Sequence, residues 1–178
     1  MCSPKIHKDN RGYFTEFYRQ DKLEKFLGHK INFCQSNQSK SSYGVIRGLH
    51  YQMTPYAQTK LIRVVSGRIL DVVIDLRKDS PTFGNHLKVE LSADEKKLLL
   101  IPKGFAHGFI VLSQEATISY KLDNYFNSDY ERGISFYDPE LGIDWPIRNN
   151  EIKVSKKDAK LPLFKNAEIF DSSIDFYV

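Results

Sequence analysis

Between Lys60 and Gly84 the chain reads KLIRVVSGRILDVVIDLRKDSPTFG, and no other stretch restricts the fold as strongly. Side chains alternate between the two faces of a strand. Leu70, Val72, Ile74 and Leu76 therefore share one face, while Ile69, Asp71, Val73, Asp75 and Arg77 share the other. One face is aliphatic and the other interleaves carboxylates with aliphatics, which suits a sandwich or barrel whose interior holds something polar. The two β runs, 60–65 and 69–76, meet at Ser66-Gly67-Arg68, which reads as a hairpin.

Further strands are expected over 45–51, 86–91, 98–101, 108–112, 116–122 and 133–136, the spacing of an all-β sandwich or jelly roll. The 13% aromatic share, mostly Phe and Tyr, fits that class. Helix is minor. RQDKLEKFLG makes a short helix stopped by Gly28, and SADEKK carries Ser92 and Glu95 at capping-box spacing for one or two turns. After Trp145-Pro146 the tail is polar and irregular, a wrapping segment with a helical turn near its end.

The 178 residues show no composition shift or linker, so one domain spanning 1–178 is expected. Two cysteines, Cys2 and Cys34, and the lack of a basic-then-apolar leader argue against a disulfide scaffold or a secretory signal, which makes the cytoplasm the expected compartment. No run approaches the ~18 apolar residues of a membrane span. The formal charge of +4 is mild and interspersed, so neither nucleic acid nor membrane is an expected partner. A small anion gripped by a few arginines and lysines fits better.

Two stretches carry candidate chemistry. VIRGLHYQ, from Val45 to Gln52, places Arg47, Gly48 and His50 inside a strand-like apolar run. IPKGFAHGFIVL contains a P-x-G-x-x-H pattern ending at His107, which resembles the second motif of the cupins. In metal-binding cupins the partner motif is H-x-H with a glutamate a few residues on, but here it reads His50-Tyr51-Gln52. One histidine at each place leaves too few donors for a three- or four-ligand site, so no metal and no cofactor are expected.

Six blocks then occur in a telling order: DNRGYFTEFY, NFCQSNQSKSSYGVIRGLHYQ, AQTKLIRVVSGRILDVVIDLRKDSPTFG, IPKGFAHGF, YKLDNYF and DPELGIDWP. In order and spacing they resemble the dTDP-4-dehydrorhamnose 3,5-epimerases, across most of the chain from Asp9 to Asp158. The resemblance implies a cupin-like double-stranded β-helix, or jelly roll, with a few short helices, working as a homodimer without metal. The implied reaction inverts carbons 3 and 5 of a nucleotide-diphosphate-linked 4-keto-6-deoxyhexose.

By the same resemblance His50 is the base and Asp158 the carboxylate that orients it. Tyr120 returns a proton from the opposite face, and Lys60 lies near the developing enolate oxygen with His107 beside it. Arg11, Glu16, Gln35, Asn37 and Arg47 match positions that hold the diphosphate and nucleoside, some of them from the neighbouring subunit. The chemistry asks for these types. A proton next to a ketone leaves only if the enolate is stabilised, which Lys60 does by charge and His107 by a hydrogen bond. Inversion needs a base and an acid on opposite faces, and histidine, with a reference pKa of about 6.5, suits the base.

Each residue also has a plainer reading. Tyr120 alternates with Ile118 and Leu122, as a core aromatic does; Lys60 opens a strand, where a solvated lysine is ordinary; Asp158 sits in a charged tail. Asp71 and Asp75 serve neighbouring side chains in that view. Arg47 and His50 differ in strand parity and face opposite sides unless a bulge intervenes. The family commonly has Tyr-Tyr where this chain reads Tyr125-Phe126, so a hydroxyl near the sugar is missing at Phe126. Only ten residues precede Arg11, which trims the edge strand expected in the dimer contact. The nearest rival is therefore a single-carbon epimerase acting on a related dTDP-, CDP- or GDP-linked 4-keto sugar. Rivals of other classes are a metal-dependent cupin enzyme and a non-catalytic sugar-nucleotide-binding cupin.

Overall fold

The computed structural model describes residues 1–171 and 173–177. In chain order the strands are β1 (Ile6–Asp9), β2 (Gly12–Thr15), β3 (Gln35–Ser42), β4 (Ile46–Gln52), β5 (Lys60–Ser66), β6 (Arg68–Asp75), β7 (His86–Ser92), β8 (Leu98–Ile101), β9 (Phe105–Val111), β10 (Glu115–Leu122) and β11 (Glu131–Gly133). β1 and β2 form a hairpin of their own. The others make two antiparallel sheets, β3-β10-β5-β8 and β11-β4-β9-β6-β7, packed face to face as a jelly roll.

The alternation of β6 decides what lies inside. Ile69 and Val73 meet Ile62, Val64, Phe109 and Ile118 between the sheets, and on the same face of the strand Asp71 is fully excluded from solvent and Asp75 is buried. Val72, Ile74 and Leu76 face outward against Leu49, Ile134, Leu141 and Phe170, so the irregular C-terminal segment covers the oily side of the five-stranded sheet. Burying that face contributes roughly 1.5–3 kcal/mol per large aliphatic side chain. Asp75 takes hydrogen bonds from Arg77, Ser80 and Thr82, which ties down the loop between β6 and β7.

Three local readings change. Ser66-Gly67-Arg68 is not a hairpin: β5 pairs with β8 and β10 whereas β6 pairs with β7 and β9, so these residues turn a corner from one sheet into the other. Gly67, at φ +78°, is required there because a Cβ would lie 2.1 Å from the Glu115 carbonyl oxygen. Ser92 Oγ accepts the Glu95 N–H at 3.3 Å, as a capping box would, yet the segment stays a turn and β8 begins at Leu98. The strand expected over 133–136 is instead the short β11, Glu131–Gly133, after which Ile134 still exchanges both backbone hydrogen bonds with Leu49 before the chain leaves β4. The N-terminal helix, α1 (Gln20–Leu27), ends as expected: Gly28 adopts φ +77° and its N–H donates to the Glu24 carbonyl. Among the described residues no helix is long and apolar enough to cross a membrane.

Candidate active site

A cavity of about 510 Å³ opens between the two sheets, with an adjoining pocket of about 270 Å³ that shares His50, Lys60 and Tyr120 with it. β4 brings two polar side chains into this space through a bulge. Arg47 pairs with Phe109 and His50 with His107, so Gly48 and Leu49 together oppose Gly108. The extra residue cancels the parity difference, and Arg47 and His50 both line the cavity. Glycine is needed at 48, where φ is +110° and a Cβ would sit 2.6 Å from the Gly108 Cα.

His50 Nε2–H donates to Asp158 Oδ1 at 2.8 Å, while Asp158 Oδ2 accepts the Gly48 N–H at 3.3 Å. Asp158 opens a 3₁₀ turn of the C-terminal segment and is only 5% exposed, a buried partner and not a surface carboxylate. Burial works against its ionisation, but the hydrogen bonds from His50 and Gly48 outweigh this and hold its carboxyl below the usual range. With Nε2 committed as a donor to Asp158, Nδ1 is the ring nitrogen left to take up a proton.

His107 repeats the arrangement on β9. Its Nε2–H donates to Asp71 Oδ2 at 2.9 Å. Burial pushes the imidazole down, against the opposing pull of Asp71, which favours the neutral ring and leaves Nδ1 available as an acceptor. A neutral His107 in this tautomer cannot donate to an enolate oxygen, which differs from the hydrogen-bond role expected above. Lys60, first residue of β5, donates to the His50 carbonyl at 3.1 Å and lies deep in the cavity. Burial lowers its ammonium to about 8, with Asp71 and Glu131 opposing the shift.

Tyr120 projects from β10, in the sheet opposite His50, so the two reach the cavity from opposite walls. Its ring is partly buried against the core, and the phenol faces the same space as His50 and Lys60. Arg47 is exposed at the cavity wall, its Nε–H donating to Ser41 Oγ. Gln35 binds Asn37 through its amide nitrogen and accepts the Phe126 N–H through its oxygen, so the β3 face also sets the loop that carries Phe126. Gln52, at the place of the second histidine in metal-binding cupins, spends its amide on the carbonyls of Tyr56 and Tyr125 and on the Asn127 N–H.

Arg11 and Glu16 are not brought to this cavity. Arg11 is exposed beyond β1 and pairs with Asp9 at 2.6 Å, and Glu16 pairs with Lys22 at 2.8 Å. Sequence reasoning missed Glu131, which lines the smaller pocket and forms an ion pair with Lys157 on the cavity rim. Its only local signal was a place close after the YKLDNYF block.

The fold defines a cupin-like protein with acid–base groups on facing walls of its cavity, and its relatives are epimerases. The family model described as dTDP-4-dehydrorhamnose 3,5-epimerase matches residues 1–166. The chain belongs to that family. The dTDP-4-dehydrorhamnose 3,5-epimerase of Shigella flexneri is 48% identical over 170 residues, covering 96% of this chain and 93% of the relative. The crystal structure of the Elizabethkingia anophelis NUHP1 enzyme of that name superposes with a TM-score of 0.88 at 47% identity, covering 92% of this chain and 89% of that one. The Legionella pneumophila Philadelphia 1 dTDP-6-deoxy-D-glucose-3,5-epimerase, solved in complex with dTDP-4-keto-L-rhamnose, gives 0.88 at 44% identity, covering 92% and 86%.

Proposed function

We propose that this chain inverts carbons 3 and 5 of dTDP-4-dehydro-6-deoxyglucose to give dTDP-4-dehydrorhamnose, through an enolate at each step. The observation that carries the reading is the His50–Asp158 pair, 2.8 Å apart at the wall of the cavity. Asp158 holds the Nε2–H tautomer, and His50 Nδ1 takes the proton next to the ketone. The Lys60 ammonium faces the oxygen on which negative charge develops. Tyr120 then delivers its phenolic proton to the opposite face of the planar carbon, and solvent restores the phenol. Arg47 grips the diphosphate with its guanidinium fork, and Gln35, Asn37 and Phe126 border the nucleoside and sugar.

Arg11 and Glu16 serve, in this reading, the cavity of a second copy in a homodimer. The exposed Tyr13, Phe14 and Phe26 beside them supply apolar surface for such a contact. Two free cysteines are in keeping with the reducing cytoplasm as the working compartment.

The test is the dTDP-, CDP- and GDP-linked 4-keto-6-deoxyhexoses in heavy water, followed by proton NMR. Loss of signal and inversion at both carbons with the dTDP sugar is the expected result. Exchange at one carbon alone makes the chain a single-carbon epimerase, as the Phe126 departure suggests, and exchange at neither carbon of any sugar leaves only a binding module.

A further inference from the structure

One buried carboxylate, lying behind His107 and not lining the cavity, takes no part in these steps. Asp71 on β6 is fully excluded from solvent; its Oδ2 accepts the His107 Nε2–H at 2.9 Å, and its Oδ1 has no hydrogen-bond partner among the described residues. An unpaired buried oxygen on a carboxylate is costly, and an aliphatic side chain, as at Ile69 and Val73 on the same face, would fill the layer without that cost. Packing therefore does not account for a carboxylate at this position.

His50 on β4, His107 on β9, Tyr120 on β10 and Glu131 on β11 line the cavity or its adjoining pocket with Lys60, as do Arg47, Lys153, Lys157 and Asp158, and Asp71 on β6 acts on Lys60 from behind His107. Asp71 and Glu131 are the carboxylates whose charge acts on Lys60, while Asp158, also at the cavity wall, is engaged by His50 and the Gly48 N–H. Glu131 is spent on Lys157 at the rim, whereas Asp71 is shielded from water and answered only by the neutral His107.

We propose that Asp71 is a positioning residue for the epimerisation, fixing His107 in the Nε2–H tautomer and supplying the buried negative charge that keeps the Lys60 ammonium protonated beside the enolate. The inference rests on the reading of Lys60 as the group that stabilises that enolate. His107 then meets the cavity as an acceptor through Nδ1. It does not compete with Lys60 for the enolate oxygen. Burial alone pulls the lysine toward its neutral form, and the carboxylate opposes this.

Two measurements decide it. In ligand-free wild-type protein with ¹⁵N-labelled histidine, the His107 ring should show a protonated Nε2 and an unprotonated Nδ1 at neutral pH. This readout needs neither substrate nor activity, so it stands even where the proposed reaction fails. The second is the pH profile of kcat/KM for Asp71→Asn, a change of nearly constant volume, with its unfolding temperature recorded beside wild type. The alkaline limb should move down by about one pH unit, with kcat lowered roughly 10²-fold and KM little changed. Asp144→Asn, which removes a carboxylate that is 92% exposed, should leave the profile in place. A wild-type His107 protonated on Nδ1, or a folded Asp71→Asn enzyme with an unmoved alkaline limb, overturns the proposal. If wild type exchanges no hydrogen on any 4-keto sugar, the reading of the reaction fails while the tautomer result stands on its own.

Discussion

His50 and His107 are direct partners across the β4–β9 ladder, and each donates its Nε2–H to a different buried carboxylate, Asp158 for one and Asp71 for the other. Two imidazoles are thereby fixed side by side, and among the described residues neither Nδ1 has a hydrogen-bond partner. They differ in surroundings: His50 keeps 30% of its side-chain surface and His107 only 12%. The more open ring has room for a substrate carbon, which favours His50 over His107 as the base of the proposed reaction.

Asp158→Asn should lower kcat by about 10²–10⁴-fold with little change in KM, since an amide no longer enforces the Nε2–H tautomer of His50. Steady-state kinetics on the folded variant checks this. Wild-type turnover would remove Asp158 from the mechanism.

The lowered Lys60 pKa has a sign that can be read in the pH profile. In the proposed reaction its charged form stabilises the enolate, and that form is lost as pH rises, so kcat/KM should fall through an alkaline limb near pH 8. A profile still level at pH 9.5 would show that the ammonium is not required.

Asp75 links stability to acid. Burial opposes its ionisation, but hydrogen bonds from Arg77, Ser80 and Thr82 prevail and hold its carboxyl well below the usual range. A depressed folded-state value means stability that is present above the unfolded value of 3.8 and lost as pH falls below it. Asp75→Asn should cost about 1–3 kcal/mol at pH 7, discounted because Arg77 is 40% exposed, and the gap from wild type should narrow on acidification. Denaturant unfolding at pH 7 and pH 3 measures both.

Gly48→Ala tests the bulge. At φ +110°, with the new Cβ 2.6 Å from both the Gly108 Cα and the His107 carbonyl oxygen, the change should cost about 1–3 kcal/mol and displace His50 from Asp158. Stability and activity should fall together. An alanine variant equal to wild type in both would mean that β4 tolerates another path.

Much of this architecture was legible in the sequence, and the exceptions have physical reasons. The alternation of β6 announced a polar interior because period-two patterning survives wherever one face is packed and the other is not. β3 escaped notice because QSNQSKSS contains no apolar residue: one face looks into the polar cavity, the other into solvent, and hydrophobic alternation has nothing to mark. Ser66-Gly67-Arg68 misled because a glycine corner between sheets uses the same residues as a hairpin turn. Arg47 and His50 fell on opposite faces by parity until Gly48 and Gly108 allowed the bulge, a feature settled by the approach of two distant strands. The Glu131–Lys157 pair joins residues far apart in the chain, and no local pattern signals it.

The most direct measurement compares hydrogen exchange with inversion in heavy water for wild type, Tyr120→Phe and His50→Ala, using dTDP-4-dehydro-6-deoxyglucose and proton NMR. Wild type should exchange and invert both carbons. Tyr120→Phe keeps the ring and its packing, and should still exchange carbon-bound hydrogen while inverting poorly, since the base acts but the opposite-face proton is missing. His50→Ala should lose both, because no enolate forms. A Phe variant that inverts at the wild-type rate, or an Ala variant that still exchanges rapidly, would contradict the division of labour between the base on one sheet and the acid on the other.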